Sequence, residues 1–193
     1  MSKPSNREKI LTEGLRVVHE RGFAGASVRD IVQAAGVPQG SFTNHFASKE
    51  AFGLEIIDLY FATSWALIQK TLRNDELPPL RRLGAYLDAN TDGLSPTGMR
   101  HGCLFGNFTA EASEHSDVIR RRIVEIFAEV QQSIAYCLQA AVKAGELPAG
   151  FECGEAAEFV LSSLQGAILL AKAQRSSAPA ERLKRILFSK VLT

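Results

Sequence analysis

Apolar residues recur three and four positions apart along almost the whole chain, and no useful stretch alternates apolar with polar. The pattern therefore predicts an all-α protein of about nine helices, with no repeat at a fixed period. The first helix, about Asn6 to Arg21, sets Ile10, Leu11, Leu15 and Val18 on one face and stops at Gly22, with Phe23 folding back onto the core. Ser27 opens the second. With Asp30 it makes the S-x-x-D pattern that satisfies free amides at a helix start, while Val28, Ile31 and Val32 turn inward. Gly36 ends this helix, and Pro38 suits the first position of a short third helix, because its missing amide proton would lack a partner there. A fourth helix starts near Lys49, capped by Ser48, and runs through Phe52, Ile56, Leu59, Tyr60, Trp65 and Leu72 to a break at Asn74 to Pro79.

Further along, the periodicity predicts helices at about Leu80 to Asn90, Cys103 to Ser113, Asp117 to Ala144, Gly154 to Arg175 and Ala180 to Leu192. The Gly-, Pro- and Ser-rich run TDGLSPTGMRHG is the clearest loop. The helix from Gly154 is apolar over most of its circumference, around Phe159, Val160, Leu164, Ile168 and Leu169, and is expected to be buried on several sides.

The short third helix poses the functional question. Phe42 and Phe46 lie four apart and share a face, so they anchor the helix inward. Gln39 and Thr43 then form one outward row and Gly40 and Asn44 the next, with Ser41 and His45 completing the polar set. Such a surface fits the major groove of B-DNA, where Gln and Asn can pair with adenine edges and Ser or Thr can serve a base or a phosphate. Gly40 permits close backbone approach. Lys49 and Arg29 flank the helix as phosphate contacts, Lys49 at a helix start whose free amides add to its charge; Ser27 completes the candidate set. A merely solvated face is the plainer alternative, but it does not account for the tight turn, the paired anchors and the basic flank together.

Charge narrows where a polyanion can bind. The 193 residues carry 22 Lys+Arg and 21 Asp+Glu, a formal +1, so any such site is local. The first fifty residues hold seven basic side chains (Lys3, Arg7, Lys9, Arg16, Arg21, Arg29, Lys49) against five acidic ones, a mild bias. Three widely spaced cysteines without a CxxC pair give no support to a disulfide framework or zinc site, and His101, Cys103 and His115 match no closed metal geometry. No metal or cofactor is expected. The start MSKPSNREKI lacks an apolar signal core, and FVLSSLQGAILLA is interrupted and short for a bilayer, so a cytoplasmic protein without a membrane span is expected.

The run GFAGASVRDIVQAAGVPQGSFTNHFASKEAF resembles the N-terminal DNA-binding module of the tetracycline-repressor (TetR) family, through Gly22-Phe23, the capped second helix, the AAGVPQGSF turn and the HFASKEAF close. The resemblance implies a helix-turn-helix DNA-binding domain at 1–47 and a helical effector-binding and dimerisation domain at 48–193. It also implies a homodimer whose recognition helices enter successive major grooves of a near-palindromic operator. Where the family commonly has a Tyr, this chain has Thr43, so an aromatic contact to the DNA backbone is missing.

The C-terminal half gives coarser signals. Phe61, Trp65, Phe105, Phe108, Phe127 and Gln131 are candidates for an apolar effector pocket, or simply core. Cys103 stands at a helix start beside Arg100 and His101, where free amides and positive charge favour the thiolate. RHGCLFGNFTAEAS and GAILLAKAQRS resemble the electrophile- and redox-responsive NemR-like subgroup of the family, which implies redox sensing by Cys103 with Lys172 as its interacting amine. A small buried residue between Gly102 and Gly106 remains the alternative. Leu164, Gly166, Ala167, Ile168 and Ala171 are the expected dimer surface, because small residues allow close helix approach. No catalytic motif such as GxSxG, HExxH or a phosphate loop is found in a suitable setting, so an enzyme is not expected. A ligand-binding helical carrier or scaffold without sequence-specific DNA binding is the rival function.

Overall fold

The computed structural model describes residues 4–193, and Lys3 lies outside them. Nine α-helices form among the described residues: α1 (Asn6–Arg21), α2 (Val28–Ala34), α3 (Gly40–His45), α4 (Lys49–Lys70), α5 (Pro79–Asp92), α6 (Leu104–Ala112), α7 (Asp117–Lys143), α8 (Cys153–Gln174) and α9 (Ala178–Ile186). A 3-10 turn at Ser95–Thr97 and a π-helical turn at Leu187–Val191 complete them. Two compact units arise, one from the chain up to Ala62 with Leu104–Val124, the other from Thr63–Cys103 with Glu125–Thr193.

In the first unit α1 begins with a full capping box, the Glu8 amide donating to the Ser5 hydroxyl at 3.2 Å and the Ser5 amide to the Glu8 carboxylate at 2.6 Å. It ends at Gly22, whose φ of 82° is open to glycine. Ile10, Val17, Val18, Ile31 and Val32 form the core with Phe42, Phe46 and Phe52. Phe52 is fully buried and takes the space beside Gly14, where an added Cβ would lie 2.4 Å from its Cζ. The glycine is thus a packing requirement rather than a conformational one. Residues 104–124 close the unit: Phe108 stacks on Phe23 at 4.8 Å, and Arg122 bonds Asp58 at 2.7 Å.

The second unit has its own core, including Ile68, Leu72, Leu83, Leu87, Val130, Ile134, Leu138 and Val160. The expected break near Asn74 is a pinned turn. Buried Arg82 donates through Nε to the Leu77 carbonyl at 2.6 Å and pairs with Asp75, which also accepts the Tyr136 hydroxyl at 2.8 Å.

Helix α8 departs from expectation in two ways. Leu164, Ala167, Ile168 and Ala171, expected at a dimer surface, are 2, 7, 5 and 1% exposed and fill the protomer's own core, leaving only Gly166 of that set outside. Conversely Phe159, Leu169 and Leu170 are 48, 68 and 51% exposed, so the helix is not buried on all sides. A helix can turn a single stripe onto its protomer's core, and the 3.6-residue period puts positions 159, 162, 166, 169 and 173 on the opposite side. Helices α4 and α8, 22 residues each, are long and apolar enough in composition to cross a bilayer. Both are core helices here, α4 burying Phe52, Ile56, Ile57, Phe61 and Ile68, and α8 the four residues just named.

Candidate nucleic-acid interface

The interface is built from the turn upward. Gly36 takes φ 62° after α2, and the Val37 amide returns to the Val32 carbonyl at 3.1 Å. Pro38 lies before the helix rather than at its first position: α3 starts at Gly40, led in by i to i+3 bonds from Ser41 to Pro38 and from Phe42 to Gln39. Three rings then root the helix. Phe42, Phe46 and Phe52 meet pairwise at 5.1 to 5.2 Å between centroids. With that side fixed, Gln39, Gly40, Thr43, Asn44 and His45 are exposed. Thr43 donates to the Gly40 carbonyl at 3.1 Å, and an added Cβ at Gly40 would meet nothing within 4 Å.

Ser41 does not join the outward polar set. It is 8% exposed, turned inward beside Phe42, because a six-residue helix lying on both α1 and α2 hides more than the Phe42–Phe46 line. Ser27 is exposed but engaged: its hydroxyl bonds the Asp30 carboxylate and accepts the Asp30 amide at 3.1 Å. The Ser27 hydroxyl and amide hold the Asp30 carboxyl below its ordinary value, with a smaller contribution from Arg21. The cap's contribution is therefore present above pH about 3.9 and fades as the pH falls through the lower folded value. Ser27→Ala is expected to cost about 1 kcal/mol in chemical denaturation. Arg29 is exposed, whereas Lys49 is half-buried, its ammonium 4.8 Å from the Phe23 ring centroid and 3.5 Å from the Ala24 carbonyl.

The candidate sensor residues fall together in the second unit. Gly102, at φ 68°, lies under Lys172, whose Cδ would be 3.0 Å from a Cβ there. Thus the lysine stem crosses the residue next to Cys103, which is half-buried. Sequence alone did not flag Tyr86, which is buried and within electrostatic reach: burial pushes its phenol well up, and Cys103 adds to the rise. Cys137 is fully buried, donates to the Pro79 carbonyl at 3.1 Å, and has its thiol pushed up to about 11 by burial. Burial also raises the Cys153 thiol. Maleimide at neutral pH is expected to spare Cys137 in the folded protein, where the thiol is fully buried and held protonated, and to reach it only after unfolding, as peptide mapping would show.

The six expected pocket residues divide. Phe61, Phe105 and Phe108 belong to the first unit's core; Trp65, Phe127 and Gln131 are half-buried in the second. None of them lines a cavity of about 440 Å³ in the second unit, which Leu87, Asp88, Asp92, Leu164, Glu181 and Lys184 help to form.

A capped helix, a glycine turn and an aromatic-rooted short helix with an exposed polar face define a helix-turn-helix DNA-binding regulator of transcription. Residues 10–56 match the model of the bacterial regulatory proteins of the tetR family, and 79–187 match the tetracyclin repressor-like C-terminal domain. The chain is 35% identical over 192 residues to the HTH-type transcriptional repressor DhaR of Mycobacterium sp. (strain GP1), covering 100% of this chain and 95% of DhaR. The crystal structure of regulatory protein TetR from Rhodobacter sphaeroides superposes with a TM-score of 0.88 at 30% identity, over 93% of this chain and 95% of that one. That of the reduced form of Escherichia coli NemR gives 0.85 at 28%, over 93% of each. The chain belongs to the TetR family of bacterial transcriptional regulators, and is not an enzyme.

Proposed function

We propose that the protein is a cytoplasmic, homodimeric repressor that reads a near-palindromic operator with its two α3 helices and is released by an effector acting on its C-terminal region. The functional division places DNA binding at residues 1–47 and effector response and dimerisation at 48–193. The observation that carries this reading is the exposed row Gln39, Gly40, Thr43, Asn44 and His45 on a helix rooted by three phenylalanines. Gln39 and Asn44 serve base edges, while Arg29 and Lys49 serve phosphates. Trp65, Phe127 and Gln131 are the half-buried candidates for meeting a noncovalent effector.

Footprinting beside the protein's own gene, followed by shift assays on that duplex, tests the DNA reading. Asn44→Ala is expected to weaken binding about tenfold, in line with a lost base contact, and to relax preference at one position. Binding without sequence preference would instead favour a carrier or scaffold.

For the effector, Cys103 with Lys172 supports an electrophile sensor, and the similar NemR structure is that of a reduced form. A quinone would accept the Cys103 thiolate at a ring carbon: a C–S bond forms, the electron pair moves to the quinone oxygen, and that oxygen takes a proton. With hypochlorous acid the thiolate takes chlorine and releases hydroxide; the Lys172 amine then displaces chloride and loses a proton, leaving an S–N bond. Cys103→Ser is expected to stay on the operator under either reagent where the unsubstituted protein leaves it. Equal release from both would remove the cysteine from the mechanism.

A further inference from the structure

Glu111 lies on α6 and is 87 residues from the turn it serves. Its carboxylate accepts the Ala24 amide at 2.9 Å, between α1 and α2. Gly22 leaves room for it: a Cβ there would come 2.5 Å from the same carboxylate, and the φ of 82° favours glycine. One turn earlier on α6, Phe108 packs on Phe23, and the Lys49 ammonium lies 4.8 Å from the centroid of that same ring. Ala24 is therefore gripped from both ends, its N–H by Glu111 and its carbonyl by the Lys49 ammonium at 3.5 Å. Lys49 opens α4 directly after the recognition helix and its three-residue link. The ammonium's location is thus set by a turn that Glu111 fixes.

We propose that Glu111 is a positioning residue for operator binding: by holding the Ala24 amide it fixes the turn whose carbonyl and ring seat Lys49, and so places that cation for the DNA backbone. This rests on the reading of Lys49 as a phosphate contact. Burial disfavours the charged form of Lys49 and the nearby Glu111 charge partly offsets that, so the carboxylate reaches Lys49 through space as well as through its bond to the Ala24 amide. Ala24 is exposed, so loss of the bond leaves its amide to water and the fold intact.

The test uses the full chain and the footprinted duplex, with affinity measured across a salt series. Glu111→Ala is expected to weaken binding about tenfold and to lower the salt slope by about one per subunit, as Lys49→Gln does, with an unchanged melting temperature. Glu111→Gln keeps an acceptor oxygen and is expected to restore both affinity and slope. The proposal is overturned if Glu111→Ala leaves the slope at its original value, or if Gln serves no better than Ala. If Lys49→Gln itself leaves the slope unchanged while the operator is still bound, the phosphate reading of Lys49 fails and the proposal with it. If only Lys49→Gln lowers the slope, that reading stands and Glu111 alone is dismissed.

Discussion

A double replacement, Leu169→Glu with Leu170→Glu, is expected to sediment as a monomer and to bind the operator duplex about 10³-fold or more weakly, near its non-specific level. Both side chains are more than half exposed on the outer stripe of α8, with Phe159 two to three turns away on the same side and Ile186 43% exposed on α9. In the proposed homodimer, a seam made by two such stripes would remove apolar area from water, at about 25 cal/mol per Å². Carboxylates facing each other across the same seam would have to be desolvated without partners, which costs several kcal/mol and exceeds the gain. The protomer itself should fold normally, because neither residue contributes to its core. A single reading helix then binds without a fixed second half-site, so specificity collapses while weak phosphate attraction survives. Analytical ultracentrifugation alongside shift assays checks both halves of the expectation. A fully dimeric double variant would place the seam elsewhere.

Phe52→Ala is the second large effect, through stability rather than association. The ring is fully buried, touches Phe42 and Phe46, and occupies the space that Gly14 leaves open. Truncation removes the transfer free energy of the ring and leaves a cavity beside a glycine, which has no side chain to fill it. A loss of about 3–5 kcal/mol is expected. Against a typical total of about 5–15 kcal/mol that is enough to leave the first unit partly unfolded near 37 °C. Denaturant titration monitored by helical circular dichroism, with hydrogen exchange resolving α1 to α4, measures it. DNA affinity should fall in step with the unfolded fraction.

Local chemistry made the helices and the reading head legible in the sequence. Ser27 with Asp30 marks α2, Gly22 marks the end of α1, and the Phe42–Phe46 spacing fixes which side of α3 faces out. Ser41 escaped because a six-residue helix has too few positions to show how wide its hidden face is. On α8, apolar residues occur on both sides, so periodicity alone cannot distinguish the stripe that fills the protomer from the one left outside. Leu164 and Ile168 therefore fit a dimer surface by their pattern, yet fold into the protomer's own core. Glu111 carries no local signal at all. Its meaning depends on a contact with Ala24 across 87 positions, which only the folded chain brings together.

Because the first unit borrows residues 104–124 from a distant part of the chain, its reading head is not a detachable cassette. Grafting the leading helices onto another regulator would leave Phe23 without Phe108 and the Ala24 amide without its acceptor. A chimera meant to redirect promoter choice must therefore carry α6 and the opening of α7 along with the chain from α1 to Ala62 in α4, or supply matching groups from the recipient.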